Sequence, residues 1–200
     1  MHTAGNQTNN NMKYSVSWLI NEHVNNPEQL KYVFFWGHTQ KDENTIDNAC
    51  FSQWFPSPFY VDDILYKTAE HWMMAGKARL FGDDHYLQAI LDSEKPGQAK
   101  AFGRKIKGFD QDTWIDHASS IVIQGNVEKF LKHPDMKQHL LNTGNKILVE
   151  ASPLDFIWGI GMGKNHKDLM DPTKWRGKNL LGFALMEARD IIRTKEKSGC

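Results

Sequence analysis

Glu70 and Lys77 stand seven residues apart in the segment Thr68-Ala69-Glu70-His71-Trp72-Met73-Met74-Ala75-Gly76-Lys77. On a helix, that spacing is two turns and returns almost to the same azimuth, so a carboxyl and an amine can face one cleft. Met73, Met74 and Ala75 lie between them and would limit solvent access to it. Such a pair suits proton transfer; on periodicity alone, an exposed Glu and Lys on a solvated face is the simpler reading. Glu70 falls in the first turn, where the helix dipole favours an ionised carboxylate and opposes any rise in pKa from burial.

A second grouping is Ser152-Pro153-Leu154-Asp155-Phe156-Ile157-Trp158-Gly159. An indole stacks on flat heterocycles, and a carboxylate beside it can hold a ribose hydroxyl or stabilise a cationic transition state. Core packing of Trp158 and loop capping by Asp155 are the plainer alternatives. The following Gly159-Ile160-Gly161-Met162-Gly163-Lys164-Asn165 resembles a phosphate-cradling loop but fails the Walker pattern. Only three residues separate Gly159 from Gly163-Lys164, and Asn165 replaces the Mg²⁺-binding Ser or Thr. It reads as a glycine-rich active-site loop or a plain surface loop.

Nine histidines contain no His-Glu-x-x-His pair, and Glu70-His71 are neighbours that point to different helix faces, so no metal site is expected. Two segments are locally basic: Lys95, Lys100, Arg104, Lys105 and Lys107, then Lys164, Lys167, Lys174, Arg176 and Lys178. They are solvated faces or a site for substrate phosphates.

These groups need a scaffold, and the chain can build one. It has 200 residues, 40% hydrophobic and 12% aromatic, with 24 basic and 24 acidic residues, enough for one folded domain rather than a disordered chain. Zero net charge disfavours indiscriminate binding to DNA, and no apolar run approaches the roughly 18 residues of a membrane span. Two cysteines, Cys50 and Cys200, cannot form a thiolate zinc cage, and a reducing compartment is expected. The N-terminus shows no charged-then-apolar leader, which predicts a cytosolic or nuclear protein.

Residues 1–11, rich in Asn, read as a disordered polar tail, 12–195 as one domain, and 196–200 as a C-terminal tail. The run from Lys31 to Trp36 is β-prone, and Phe59-Tyr60-Val61 and Ile64-Leu65-Tyr66 flank Asp62-Asp63 as a hairpin. Thr68 caps a helix to about Leu80 that Gly82 ends, and Asp83 caps another ending near Asp92. Residues 110–132 carry helical apolar spacing with one buried face. Pro134 opens a shorter helix closed by Gly144, Ile147-Leu148-Val149 is a buried strand, and Asn179 caps the final helix. The expected fold is mainly α with a few short β-strands in a single compact domain.

Together, these segments resemble the NADAR family, also called YbiA-like. The resemblance lies in Phe35-Trp36, Phe51-Ser52-Gln53-Trp54, the Thr68–Lys77 motif, Gly103-Arg104, Trp114, Asp155-Phe156-Ile157-Trp158-Gly159 and Gly177-Lys178-Asn179-Leu180-Leu181-Gly182. It covers about residues 32–193. One departure is Phe51-Ser52-Gln53-Trp54, where many members have Phe-Ser-Asn-Phe. The resemblance implies an N-glycosidase that cleaves a ribose–base bond, with Glu70, Lys77 and Asp155 as catalytic groups. It further implies substrate contacts from Trp36, Ser52, Arg104 and Trp114, and from Trp158, Lys178 and Asn179. No cofactor is implied. The leading substrate is ADP-ribose on guanine of nucleic acid, with riboflavin-pathway ribosylamino-pyrimidines as the alternative, and a silent ADP-ribose or nucleotide reader as a third reading. Lys77 would serve through a Schiff base with the opened sugar, provided its amine is neutral. A monomer is expected.

Overall fold

The computed structural model describes residues 12–199, so the expected polar tail over 1–11 lies outside the described residues. Helix α1 (Val16–Asn25) is capped by the Ser15 hydroxyl, which accepts the Trp18 N–H at 3.1 Å. Strand β1 (Tyr32–Phe35) follows, then a 3-10 turn over Asn48–Phe51. Strands β2 (Phe59–Val61) and β3 (Ile64–Tyr66) form the expected antiparallel hairpin. Its turn residues Asp62 and Asp63 both have positive φ, 49° and 61°, the geometry that tight hairpins prefer and that Asp tolerates.

Each central helix begins where a side chain satisfies a free N–H. Thr68 caps α2 (Ala69–Leu80), Asp83 caps α3 (Asp84–Asp92) by accepting the Tyr86 N–H at 3.1 Å, and Asp110 caps α5 (Gln111–Lys132) by accepting from Thr113 at 2.8 Å. Pro96 and Pro134 open α4 (Pro96–Gly103) and α6 (Pro134–Asn142) at positions where a missing N–H costs nothing. Gly82 and Gly144, at φ of +66° and +59°, end α2 and α6. Strand β4 (Ile147–Glu150) and helix α7 (Leu180–Lys197) complete the chain. Helix α7 therefore runs two residues past the expected domain boundary at 195.

Strand β4 pairs with β1 in parallel, Phe35 opposite Glu150. Helix α7 covers β4, α5 packs against both α7 and α2, and α3 and α4 pack on α2. The core between these layers holds Phe35, Phe51, Phe130, Leu148, Phe183 and Leu185, all 1% exposed or less. No described helix is long and apolar enough to cross a membrane.

The structure corrects two readings. Asn179 does not cap α7 with its side chain. It sits in the left-handed region at φ 52°, and its amide turns away to β4. Nor is the buried face of α5 purely apolar: Ser119, Asn126 and Lys129 are buried there alongside Val122, Val127 and Phe130.

Candidate active site

Four segments form most of the wall of a cavity of about 270 Å³. One wall is the stretch Ser52-Gln53-Trp54 after the 3-10 turn. It is anchored from beneath by Lys129 of α5, whose ammonium donates to the Cys50 carbonyl at 2.6 Å and the Ser52 carbonyl at 3.0 Å. Lys129 is fully buried, and burial pulls its pKa down to about 8. Beside it, the Asn126 amide donates to Gln53 Oε1 at 3.0 Å. Gln53, the residue that departs from the commoner motif, is thus held by the protein's own interior.

The second wall is the start of α2, with Glu70, Met73 and Met74. The Glu70 N–H donates to the Gln53 carbonyl at 2.9 Å, which ties the helix to the first wall. The carboxyl is only 4% exposed. Burial raises its pKa; Lys100 and the Trp54 indole pull it back, Asp155 pushes it up, and Arg104 pulls it back. Burial, the largest of these effects, works against the ionised form that a place in the first turn of a helix favours.

The third wall is Glu150 at the end of β4, and the fourth is the loop carrying Asp155, Ile157 and Trp158. Asp155 Oδ1 accepts the N–H groups of Ile157 at 2.9 Å and Trp158 at 2.7 Å, so one side chain builds the turn that sets its own carboxyl beside the indole. Gly159 lets this loop lie on β4: a Cβ there would meet the Glu150 carbonyl at 2.9 Å. Burial raises the Glu150 carboxyl to about 8, helped by Asp155 and Glu70 and opposed by Lys100. Lys100 of α4 and Leu181 of α7 complete the lining.

The site therefore gathers Glu70, Asp155, Trp158 and Ser52. It does not gather Lys77 or Trp114. Two helical turns carry Lys77 about 10 Å along the axis from Glu70. Its ammonium there donates to the Gly103 carbonyl at 3.0 Å and lies 4.0 Å from the Phe109 ring and 5.6 Å from the Trp114 ring. Burial is what lowers its pKa, and Glu70 is not among the groups that shift it. Trp36 is 53% exposed and borders a separate depression with Gly163, Lys164 and His166. Arg104, the C-cap of α4, is exposed and acts on Glu70 by charge alone. Lys178 is exposed as well. Asn179 is fully buried and braces β4, donating to the Leu148 carbonyl at 2.9 Å and accepting the Glu150 N–H at 3.0 Å.

Sequence reasoning missed Trp54, Lys100 and Glu150 as lining residues. Trp54 lay inside a quoted motif and Lys100 inside a basic segment, so both carried a local signal. Glu150 carried none beyond ending an apolar strand. Among the described residues, no group of three His, Cys, Asp or Glu is arranged to hold a metal ion. The glycine-rich segment is not an open loop: Gly161 N–H donates to the Asp155 carbonyl, and the Ile160 carbonyl accepts from Arg176 and Gly177.

A family model described as the NADAR domain matches residues 34–193. An N-glycosidase of Acanthamoeba polyphaga mimivirus is 43% identical over 168 residues, covering 82% of this chain and 97% of the relative. An N-glycosidase of Nostoc punctiforme is 33% identical over 72% of this chain and 86% of its own length. The solution structure of the Escherichia coli protein YbiA superimposes with a TM-score of 0.67 at 26% identity, covering 84% of this chain and 88% of that one. With a family model spanning most of its length and a relative 43% identical, this chain belongs to the NADAR family.

Proposed function

We propose that this N-glycosidase cleaves the bond between the ribose of an ADP-ribose group and a guanine base in nucleic acid. The observation that carries this reading is the convergence of Glu70, Glu150 and Asp155 with Lys100 and two indoles, Trp54 and Trp158, on one cavity. Breaking a ribosyl C–N bond builds positive charge at the anomeric carbon and leaves the electron pair on the departing base. Carboxylates stabilise the first, and a low-dielectric wall strengthens them. Indole faces hold the flat base.

The cavity's 270 Å³ falls just below the usual range for ligand pockets, about 300–1,000 Å³. It suits a sugar and its attached ring rather than a whole dinucleotide. The remaining phosphates would lie outside it, on the side where Arg104 and Lys100 supply positive charge. Asp155 serves the anomeric carbon and accepts the proton of the attacking water. Lys77 stands apart from this cavity, so the reading takes direct attack by water in place of a Schiff base on Lys77.

Purified protein incubated with an oligonucleotide carrying ADP-ribosylated guanine tests the reading, with a ribosylamino-pyrimidine phosphate run in parallel. Release of ADP-ribose with intact guanine is expected. Turnover of the pyrimidine alone would replace the substrate, and binding without release would leave only a reader.

A further inference from the structure

We infer that Glu150 is the acid that protonates the departing base. The inference rests on the N-glycosidase reading of the cavity and adds a residue that no motif singled out.

Three features of its placement support it. The Glu150 backbone is pinned on both sides. Its N–H is held by Asn179 Oδ1 at 3.0 Å, and its carbonyl accepts the Ile160 N–H at 3.0 Å, so the side chain projects from a rigid point at the end of β4. It lines the same cavity as Glu70 and Asp155. Finally, its Oε2 is buried without a hydrogen-bond partner among the described residues. A buried ionised oxygen without a donor is costly, whereas a neutral carboxylic acid in that place tolerates its surroundings and has a proton to give.

The neighbours divide the two glutamic acids. Glu70 has the Trp54 indole as a hydrogen-bond partner and two cations, Lys100 and Arg104, acting on it. The titratable groups facing Glu150 are Asp155 on the next loop, Glu70 on α2 and Lys100 on α4: two acids against one cation. Like charges so close cannot all ionise, and the carboxyl that faces two acids and one cation, with no donor to its buried Oε2, is the one placed to keep its proton. The proton-loving position of Glu150, at about 8, agrees with this geometry.

The step balances as follows. The C1′–N bond breaks with its electron pair going to nitrogen, and the Glu150 proton moves to that nitrogen. Water oxygen bonds to C1′, and its proton passes to the Asp155 carboxylate. Exchange with solvent returns a proton to Glu150.

The test is the pH profile of kcat/KM on the ADP-ribosylated oligonucleotide for wild type, Glu150→Gln and Glu150→Asp. Wild type is expected to lose activity above about pH 8. Glu150→Gln should fall about 10²–10³-fold at pH 7 and lose that alkaline limb, the range general-acid catalysis supplies. Retention of wild-type activity by Glu150→Gln overturns the assignment, as does a loss of activity that leaves the limb in place. If Glu150→Gln does not fold, Glu150→Asp decides. An acid shortened by one methylene must move the limb, and an unmoved limb overturns the assignment. Wild type without any activity on this substrate or on the ribosylamino-pyrimidine would instead sink the N-glycosidase reading, and this assignment with it.

Discussion

Asn179 and Glu150 are joined at the base of the cavity: the Asn179 side-chain oxygen accepts the Glu150 N–H at 3.0 Å while its amide donates to the Leu148 carbonyl. This brace replaces the next pairing of the strand edge, and it requires Asn179 to adopt φ of 52°. Asn is among the few non-glycine residues that tolerate that region. Asn179→Ala should therefore cost about 3 kcal/mol or more, from two unpaired buried groups and the left-handed backbone. Asn179→Gly relieves the backbone but not the brace and should be about 1 kcal/mol less severe. Urea unfolding of the two variants measures the difference.

The pH dependence of stability follows from Glu150. Its carboxyl is raised from 4.5 to about 8, so between those values the native state holds a proton the unfolded chain has released. Stability must then fall as pH rises through that window. In Glu150→Gln this contribution is gone, and the melting temperature should decline less between pH 5 and pH 8 than in wild type. Parallel thermal melts at the two pH values read the slope, which is independent of any fixed cost of the substitution.

Lys129 is the support beneath the Ser52–Trp54 wall. Lys129→Met keeps the apolar stem against Phe55 and Phe130 but strands the Cys50 and Ser52 carbonyls. We expect a loss of about 1–3 kcal/mol, part of it offset because a buried ammonium no longer needs solvating. KM should rise more than kcat falls, since the wall moves while Asp155 does not. Steady-state kinetics beside a denaturation curve separates the two effects.

Gly182 lies where α7 crosses β4, and a Cβ there would fall 2.1 Å from the Leu148 carbonyl oxygen and 2.5 Å from the Asn179 amide nitrogen. Neither can retreat without breaking the brace. Gly182→Ala should lower stability by about 3 kcal/mol. Calorimetry of the purified variant checks it.

Much of this fold was readable beforehand, because its signals are local. Thr68, Asp83 and Asp110 are side-chain caps within three residues of the N–H they serve, and Gly82 and Gly144 stand where the chain must turn left-handed. Helices α1 and α4 are opened by Ser15 and Pro96, but their signals are masked, α1 by the Asn-rich tract before it and α4 by the basic residues around it. The site divides along the same line. Asp155 and Trp158 are neighbours whose shared turn is local. By contrast, Glu150 and Glu70 come together only in the folded cavity, where the end of β4 and the start of α2 share a lining, a contact between distant segments that no spacing encodes. Lys77 shows the opposite failure: its azimuth matches Glu70, but azimuth ignores the two-turn rise that carries it to the Gly103 carbonyl. Asn126 and Lys129 were hidden because a helical pattern records burial and not what the buried polar groups hold.

We propose that the chemistry resides in the cavity lined by Glu70, Glu150 and Asp155 rather than at Lys77. The most direct measurement is kcat/KM on the ADP-ribosylated oligonucleotide for Asp155→Asn and Lys77→Ala side by side. Asp155→Asn keeps an oxygen for the Ile157 and Trp158 amides and removes only the charge; activity should drop by about 10³-fold while Lys77→Ala stays within about threefold of wild type. Near-normal turnover by Asp155→Asn together with an inactive, folded Lys77→Ala would contradict the account.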